Sequence, residues 1–268
     1  MIWNTWFVRF EAELSAGSLS GETRRLRSYH LRRFAYDHPD LPPGEVTRDL
    51  CVSWLAGHQW SAETTRSYRA SLRRFFAWAY ASGLIAADPT ATLPTIRPPR
   101  ALPRPAPDEI VRAAVIGAPE RTRLMIELIS ATGIRRGECA RVHSRDVSED
   151  LVGWSLRVVG KGGHVRMVPL PGRLAGVLRG AEGFMFPGRI DGHLSPRRVG
   201  ELVAEALPGT WTAHTLRHRY ATRAYAVSHD LRAVQELLGH AKPETTAIYT
   251  RVADTRLREV AAQVWAAA

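Results

Sequence analysis

The sequence predicts a mainly α-helical protein with one small β-hairpin, divided into two domains. Apolar residues recur at helical spacing along most of the 268 residues, whereas residues 151–170 alternate apolar and polar positions as a strand pair does. Residues 88–107 hold seven of the 17 prolines, and proline interrupts helices because it lacks an amide donor and restricts its predecessor. We therefore expect a helical domain at 1–87, a stiff linker at 88–107 and a mixed α+β domain at 108–268.

Two helices are predicted at the N-terminal end of the first domain. One helix face is formed by apolar residues at i, i+4, i+7 and i+11, namely Trp3, Phe7, Phe10 and Leu14. A second helix should begin near Thr23 and bury Leu26, Tyr29 and Phe34. Its arginines should stay on the polar side.

Two more helices complete the first domain. A short one should cover Arg48 to Gly57. The next should start from a Ser61 cap, end near Gly83 and bury a longer apolar set. That set is Tyr68, Leu72, Phe75, Phe76 and Ala79. Four helices with arginine-rich outer faces suit a compact DNA-binding module.

The second domain mixes helices with the hairpin. Helices are predicted at Asp108–Val115 and Arg121–Ala131, and the pattern is helical again from Pro196 onward. Between them, Val152 to Val158 alternates as a strand, residues 160–163 turn the chain, and Val165 to Leu170 returns.

The charge pattern points to a polyanionic partner. The formal net charge is +11, and the excess is spread over both domains and the linker, as a protein that grips duplex DNA requires. A merely basic protein is the alternative on charge alone, and the linker is either a plain spacer or a strap along DNA. The arginines predicted to contact DNA are Arg24, Arg32, Arg66, Arg73, Arg97, Arg100 and Arg104, the last three pointing outward from the linker.

Several other classes of protein are not supported by the sequence. Cys51 and Cys139 lack metal-ligand spacing and should be reduced and buried. No apolar run approaches the roughly 18 residues of a membrane span, and the N-terminal stretch is amphipathic rather than a signal peptide. Without a P-loop, a carboxylate cluster or a Cys/His ligand set, we expect no cofactor and no metal. A cytoplasmic, nucleoid-associated protein of a bacterial cell is predicted.

Two motifs supply groups that can hold a phosphodiester. Arg135 in TGIRRGE and Arg217 in HTLRH offer planar guanidinium forks for the non-bridging oxygens of one phosphate. His214 lies three positions before Arg217 and projects from the same helix face. Glu138 should orient Arg135 or a neighbouring backbone group as a supporting contact, and His218 should be either a supporting donor or a core histidine. Arg136 is expected to be a surface arginine.

Three further residues could attack that phosphate and release its leaving group. Tyr249 is the candidate nucleophile, but a phenol with a pKa near ~10 needs positive charge or a base beside it. His240 follows Gly239, where the LRAVQELL helix should stop, and a short next helix would return Tyr249 beside it. Lys161 at the hairpin tip is one of only two lysines and, unlike arginine, can give a proton to a departing DNA 5′-oxygen. All six residues must meet in one pocket.

Together these motifs resemble the tyrosine recombinase, or phage integrase, family. The matches are TGIRRGE, the hairpin lysine, HTLRH, LLGH and the final tyrosine, in the family's order, and residues 64–93 are similar to the end of its helical core-binding domain. The resemblance implies that architecture, with a catalytic domain after it, and a 3′-phosphotyrosyl link to DNA. Cys139, Ala140 and Val142 are apolar but smaller than the leucines usual in the family after this motif. The implied catalytic set is Arg135, Lys161, His214, Arg217, His240 and Tyr249.

The resemblance also implies partners. Family members act as tetramers on two duplexes through a Holliday junction, which implies double-stranded core-type attachment sites and a homotetramer here. A tail helix at about residues 254–266 would pack on its own domain or, as the resemblance favours, dock on a neighbouring subunit. The predicted helices begin near Met1, so the arm-binding domain of large integrases is expected to be absent and the layout to be similar to Xer recombinases.

The predicted function is site-specific recombination by DNA cleavage and rejoining, in phage or prophage integration and excision. The alternatives are Xer-type resolution of chromosome or plasmid dimers, relaxation of DNA as by a type IB topoisomerase, and a catalytically idle DNA-binding regulator on the same fold. A directionality factor is a further expected partner. The terminal VWAAA is either a frayed helix end or a signal for a bacterial protease.

Overall fold

The computed structural model describes residues 2–17, 19–97, 102–240, 246 and 248–251, apart from the side chains of Lys161, Thr250 and Arg251. Within them the protein is mainly α-helical with one small antiparallel sheet, which confirms the predicted fold class. The chain divides into two compact units, Met1–Arg100 and Ala101–Ala268. The predictions for Arg100, the tail helix at about 254–266 and the terminal VWAAA lie outside the described residues.

The first unit is built from four helices. They are α1 (Asn4–Ala16), α2 (Gly21–Asp37), α3 (Arg48–Gly57) and α4 (Ala62–Ala81). The last three begin where a side-chain hydroxyl accepts a hydrogen bond from the backbone amide three residues later, at Ser20, Thr47 and Ser61. These local caps explain why the starts of α3 and α4 were predictable from the sequence.

An aromatic core holds the first unit together around Phe75. Its ring centroid lies 5.2 Å from that of Phe10, with the rings nearly perpendicular at 87°. The rings of Trp3 and Phe76 lie 5.9 and 5.1 Å away. Aromatic pairs at such distances and angles stabilise a core beyond the area they bury. The predicted buried faces of α1 and α4 are confirmed, since every residue assigned to these faces is buried.

The buried face of α2 differs from the prediction. Leu26 and Tyr29 are 46% and 61% exposed, and only Phe34 of the three expected core residues is buried. His30 takes the inward position instead, because its Nδ1 lies 2.8 Å from the Ser71 hydroxyl of α4. A buried polar side chain can face inward when it has a hydrogen-bond partner. With His30 on the inner face of α2, Leu26 and Tyr29 lie on the exposed side.

The second unit surrounds its sheet with helices. Its first helices are α5 (Asp108–Gly117), α6 (Glu120–Thr132) and α7 (Arg136–Ala140). The strands and the helix between them are β1 (Val147–Glu149), β2 (Trp154–Val159), β3 (Val165–Pro169), α8 (Gly172–Arg179) and β4 (Pro187–Ile190). The last helices are α9 (Pro196–Ala206), α10 (Ala213–Ser228) and α11 (Leu231–Leu238), followed by a 3₁₀ turn, Ile248–Arg251.

The predicted hairpin is the β2–β3 pair of a three-stranded antiparallel sheet in the order β1–β2–β3. Leu156 faces Val168 across the pair, and both are fully buried. Val152, which was expected to continue β2, lies outside it and is 97% exposed. The elements β1, α8 and β4 were not predicted. The strands β1 and β4, of three and four residues, are too short to carry a clear hydrophobic period. Cys51 and Cys139 are free and buried, as predicted.

The proline-rich segment is attached at both ends. At its start, the Leu93 carbonyl accepts a hydrogen bond from Arg69 Nη2 at 2.8 Å within the first unit. Near its end, Arg104 donates to Thr210 at 2.7 Å and lies over the Trp211 ring at 4.2 Å within the second unit. Arg104 is exposed, as expected, but its guanidinium is held on an aromatic face rather than extended into solvent.

None of the helices in the described residues combines the length and the apolar composition needed to span a membrane.

Candidate active site

The end of α11 binds three arginines through three consecutive backbone carbonyls. The last carbonyls of a helix lack intrahelical partners and lie at the negative end of the helix dipole, so they favour cations. The pairs are Arg166 Nε to Leu237 O at 3.0 Å, Arg217 Nη2 to Leu238 O at 2.7 Å, and Arg135 Nη2 to Gly239 O at 3.4 Å. The C-terminal end of one eight-residue helix thus binds the guanidinium groups of Arg135 at the N-cap of α7, Arg166 in β3 and Arg217 in α10.

Gly239 makes this arrangement possible. It ends α11 in the left-handed conformation, with φ +61°, as predicted for the residue before His240. A Cβ atom added there would also lie 3.0 Å from Arg166 Cδ and Nη1. Glycine is needed both for the backbone conformation and for the space that Arg166 occupies.

Arg135 is positioned by the junction of α6 and α7. Gly133 ends α6 with φ +64° against the ring of Tyr220, and the chain then enters α7 with Arg135 as its N-cap. Glu138, three positions on, accepts hydrogen bonds from the Arg135 backbone amide at 2.8 Å and from its Nη1 at 2.9 Å. A glutamate at this position satisfies a free amide at the start of the helix, so the same carboxylate fixes both backbone and side chain.

Glu138 also binds Arg166, which the sequence reasoning missed. The two guanidinium nitrogens of Arg166 lie 2.7 and 3.1 Å from the carboxylate oxygens. Burial alone would raise the pKa of Glu138, but hydrogen bonds from Arg166 and the Arg135 amide outweigh burial and lower the pKa to about 2. A signal was present in the sequence: Arg166 occupies the same face of β3 as buried Val168, and an inward arginine needs a buried partner.

Arg217 is almost completely buried, with 3% of its surface exposed. It donates to the Gly133 and Leu238 carbonyls and to His240 Nε2, the last at 3.0 Å. Burial, followed by the positive charge of Arg135, lowers its pKa to about 9, so it remains protonated at neutral pH. These contacts fix the direction of the guanidinium plane before any phosphate arrives.

The contact with Arg217 determines the tautomer of His240. Arginine can only donate hydrogen bonds, so His240 Nε2 accepts and its Nδ1 carries the proton. Nδ1 then donates to the Thr246 hydroxyl at 2.9 Å. Burial, with the charges of Arg217 and Arg135, lowers the His240 pKa to about 4. The imidazole is therefore neutral in this structure.

The Tyr249 hydroxyl lies 3.0 Å from His218 Nδ1. The ring is 2% exposed and packs in an apolar cluster with Ala221, Val234 and Leu238. Burial raises the Tyr249 pKa although Arg217 and Arg135 act to lower it. The expected activation of the phenol by positive charge is thus outweighed in this conformation. The ring of His214 packs against that of His218, with ring centroids 4.1 Å apart.

Five of the six predicted site residues line one cleft of about 660 Å³. Lys161 lies on the hairpin between β2 and β3, and its side chain is outside the description. Arg136 is exposed, as expected of a surface arginine, and it also lines the cleft. The lining residues are Arg135, Arg136, Gly200, Thr212, Ala213, His214, Arg217, His218, His240, Ile248 and Tyr249. Among the described side chains, no three potential metal ligands form a cluster.

The arginines predicted to contact DNA have varied surroundings. Arg32 pairs with Glu11 at 3.1 Å, and Arg66 pairs with Glu63 at 3.3 Å. Arg24 donates to a serine hydroxyl at 2.7 Å. Arg73 and Arg97 are exposed, and the contact of all these arginines with DNA stays a prediction.

The second unit matches the description "Phage integrase family" over residues 108–256. The chain is 32% identical to tyrosine recombinase XerC of Xanthomonas axonopodis pv. citri (strain 306), covering 91% of this chain and 79% of that protein. It is 35% identical to tyrosine recombinase XerD of Ralstonia nicotianae, covering 80% of this chain and 78% of that protein. With XerC of Mycobacterium sp. (strain KMS) the identity is 34%, over 90% and 91% of the two chains.

Solved structures share the fold. XerH site-specific recombinase bound to a palindromic difH substrate, in a post-cleavage complex, matches with a TM-score of 0.71 at 21% identity, over 90% of this chain and 79% of that chain. A lambda integrase dimer bound to a COC′ core site matches with a TM-score of 0.74 at 22% identity, over 94% and 77%. The chain belongs to the phage integrase family of tyrosine-type site-specific DNA recombinases.

Proposed function

We propose that Tyr249 cuts one strand of duplex DNA in the cleft, forming a 3′-phosphotyrosine and releasing a 5′-hydroxyl. The observation that carries this proposal is the shared cleft: a phenol hydroxyl lies beside two fixed guanidinium groups, those of Arg135 and Arg217. A phosphate held by that pair would present its phosphorus to the phenol oxygen. Attack forms the O–P bond to Tyr249 and breaks the bond from phosphorus to the 5′-oxygen.

The two arginines would stabilise the additional negative charge of the pentacoordinate transition state. Arg217 is held rigidly by carbonyl groups and Arg135 by Glu138, so little reorganisation is needed when the charge develops. Burial strengthens this interaction because water screens it less. We assign protonation of the departing 5′-oxygen to Lys161, on the chemical ground that a lysine can release a proton and an arginine cannot.

Rejoining would reverse these steps with a different strand. A 5′-hydroxyl from the partner duplex attacks the phosphotyrosine, restores a phosphodiester and frees Tyr249. The energy of the broken bond is kept in the covalent intermediate, so strand exchange needs no nucleotide cofactor. We propose that a homotetramer on two duplexes carries out the exchange, with the core-binding unit at 1–87 and the linker at 88–107 gripping DNA.

Covalent capture of DNA tests the cleavage step. Nicked fragments of DNA from the source organism are incubated with the protein, and adducts that survive denaturation are isolated and sequenced. Native protein should yield adducts at a small number of sites, and Tyr249→Phe should yield none. Tyr225→Phe is the matched control, because it removes a phenol hydroxyl from a residue of α10 that packs against the same apolar cluster, and it should behave as native. Adducts formed by Tyr249→Phe, or none formed by the native protein, would refute the mechanism.

The biological use of the reaction follows from the captured sites. Integration and excision of phage or prophage DNA is our main proposal, and it requires capture at the borders of an integrated element. Resolution of chromosome or plasmid dimers is the second, favoured by the relatives named XerC and XerD at 32–35% identity. It requires capture at one chromosomal or plasmid site.

Two measurements separate recombination from the other functions. Exchange of strands between two duplexes distinguishes a recombinase from an enzyme that only relaxes supercoiled DNA. Binding without any covalent adduct would identify an idle regulator. A bacterial cytoplasmic setting on the nucleoid is part of this proposal.

A further inference from the structure

We propose that His218 accepts the phenolic proton of Tyr249 during DNA cleavage. The inference rests on the proposed role of Tyr249 as nucleophile. Among the described residues, His218 is the hydrogen-bond partner of the Tyr249 hydroxyl, at 3.0 Å from Nδ1. A general base must lie within hydrogen-bond reach of the proton that it removes, and this distance satisfies that condition before any substrate is bound.

His218 is in the right protonation state for this task. Burial, followed by the charges of His214 and Arg217, lowers its pKa to about 4, so its imidazole is neutral at physiological pH. A neutral imidazole has one free ring nitrogen. If the hydroxyl donates to Nδ1, the ring proton resides on Nε2, and Nδ1 is the atom that receives the phenolic proton.

The substrate itself should make His218 a stronger base. The charged or titratable groups around the pair are His214, Arg217, Arg135, Arg136 and His240. A bound phosphate would offset the positive charge of Arg135 and Arg217, which opposes protonation of His218. The base would thus gain strength when DNA occupies the cleft.

His214 packs against the base. Its ring meets the His218 ring at 65°, with centroids 4.1 Å apart, and it lies on the exposed side of the pair. During cleavage the proton passes from the Tyr249 oxygen to His218, the O–P bond forms, and the 5′-oxygen leaves with a proton from the acid that we assign to Lys161. During rejoining the incoming 5′-hydroxyl gives its proton to the acid left neutral by cleavage, assigned to Lys161, its oxygen forms the bond to phosphorus as the bond to Tyr249 breaks, and His218 returns its proton to the Tyr249 oxygen.

Kinetics with two substrates test this assignment. One substrate carries the normal 5′-oxygen at the cleavage site, and the other a bridging 5′-sulfur, whose departure requires no proton donor. His218→Asn keeps an oxygen near the position of Nδ1 that can accept the hydrogen bond but cannot act as a base. His229→Asn, at the exposed left-handed C-cap of α10, is the matched control because asparagine suits that conformation.

We expect His218→Asn to slow cleavage about 10²-fold with both substrates, whereas Lys161→Ala should recover with the sulfur substrate. The rate of His218→Asn should rise steadily with pH as hydroxide replaces the missing base, while native protein levels off. The inference is wrong if His218→Asn cleaves within twofold of native, if sulfur restores it, or if its pH profile parallels that of native protein. If native protein itself forms no adduct, the proposed function fails first, which separates the two outcomes.

Thermal unfolding and DNA binding of His218→Asn guard against a folding defect. A native-like melting midpoint and affinity, together with slow cleavage, support the inference. If the variant is unstable, His218→Ala with added imidazole replaces it: recovery of the rate supports the inference, and a rate unaffected by imidazole overturns it.

Discussion

Arginine has different surroundings in the two units. In the first unit, Arg66 pairs with Glu63 while their side chains are 56% and 67% exposed. In the second unit, the side chain of Arg166 is 11% exposed and that of its partner Glu138 only 3%, and Arg217 is buried under backbone carbonyls. The same residue type is a solvated surface charge in one place and a fixed internal charge in the other.

The difference shows where a phosphate site obtains its rigidity. An exposed ion pair contributes only about 0–1 kcal/mol, because water screens it and two long side chains lose freedom. A buried pair cannot lose one partner without leaving an uncompensated charge, which costs about 3–5 kcal/mol. The second unit therefore constrains Arg166 and Arg217 strongly, whereas the first unit leaves Arg66 free to rearrange on a partner.

Replacing the buried carboxylate should have the largest effect. In Glu138→Gln the guanidinium groups of Arg135 and Arg166 lose their counter-charge, so the free energy of unfolding of the second unit should fall by about 3–5 kcal/mol. Glu63→Gln, the matched change in the exposed pair, should cost about 0.5 kcal/mol or less. Hydrogen exchange by mass spectrometry on the full chain reports each unit separately. Equal costs for the two variants would remove the distinction between them.

Acid should destabilise the second unit more steeply than the first. His218 and His240 in the second unit and His30 in the first have pKa values lowered to about 4, largely by burial. As pH falls from about 6.5 to about 4, unfolded chains bind protons at these histidines and folded chains do not, so unfolding becomes easier.

The carboxylate extends this trend at lower pH. The Glu138 pKa of about 2 lies below its ordinary value of 4.5, so the stability it provides at neutral pH is lost between these values as the pH falls. The pKa of His214 is also lowered, chiefly by burial, so three lowered histidines of the second unit stand against one of the first. The slope of unfolding free energy with pH should therefore be about two to three times as large in the second unit. Hydrogen exchange between pH 4 and 8 measures both slopes. A steeper slope in the first unit would contradict the assignment.

The sequence predicted what depends on local chemistry. The bounds of α3 and the Ser61 cap of α4 follow from spacing and a hydroxyl. The six site residues could be named because their motifs, taken together and in order, resemble those of a known family, and five of them share a cleft.

What escaped prediction depends on contacts between distant parts of the chain. Arg166 meets Glu138, 28 positions away, and the carbonyl of Leu237, 71 positions away. His30 turned inward on α2 because Ser71 lies opposite it, 41 positions along the chain. Neither partner can be read from a hydrophobic period. The acceptors of the three arginines are backbone carbonyl groups, and a pattern of side chains in the sequence does not predict such contacts.

Alanine substitutions at two glycines distinguish the cost of backbone strain from the cost of a steric clash. Gly83 in the first unit and Gly239 in the second both have positive φ, but a Cβ atom at Gly83 would meet nothing within 4 Å, whereas at Gly239 it would press on Arg166. Gly83→Ala should cost about 1 kcal/mol from strain alone. Gly239→Ala should cost more, about 2 kcal/mol with the displaced side chain, and should also slow DNA cleavage. Equal losses of stability, with cleavage unchanged, would show that Arg166 adapts freely.

Replacing a surface arginine should have the smallest effect on stability. Its role is tested more sensitively by measuring DNA affinity. Arg66→Ala should change the free energy of unfolding by about 0.5 kcal/mol or less. If Arg66 contacts a phosphate, the same change should weaken DNA binding at every sequence and reduce the slope of log affinity against log salt by about 1. Arg197→Ala is the control, since Arg197 forms a similar exposed pair with Glu201 and was not predicted to contact DNA.

Because Arg66 must leave Glu63 to bind phosphate, Glu63→Gln should tighten DNA binding in the native background but not in combination with Arg66→Ala. An unchanged salt slope in Arg66→Ala would place the surface of α4 away from DNA and assign its arginine only to the ion pair.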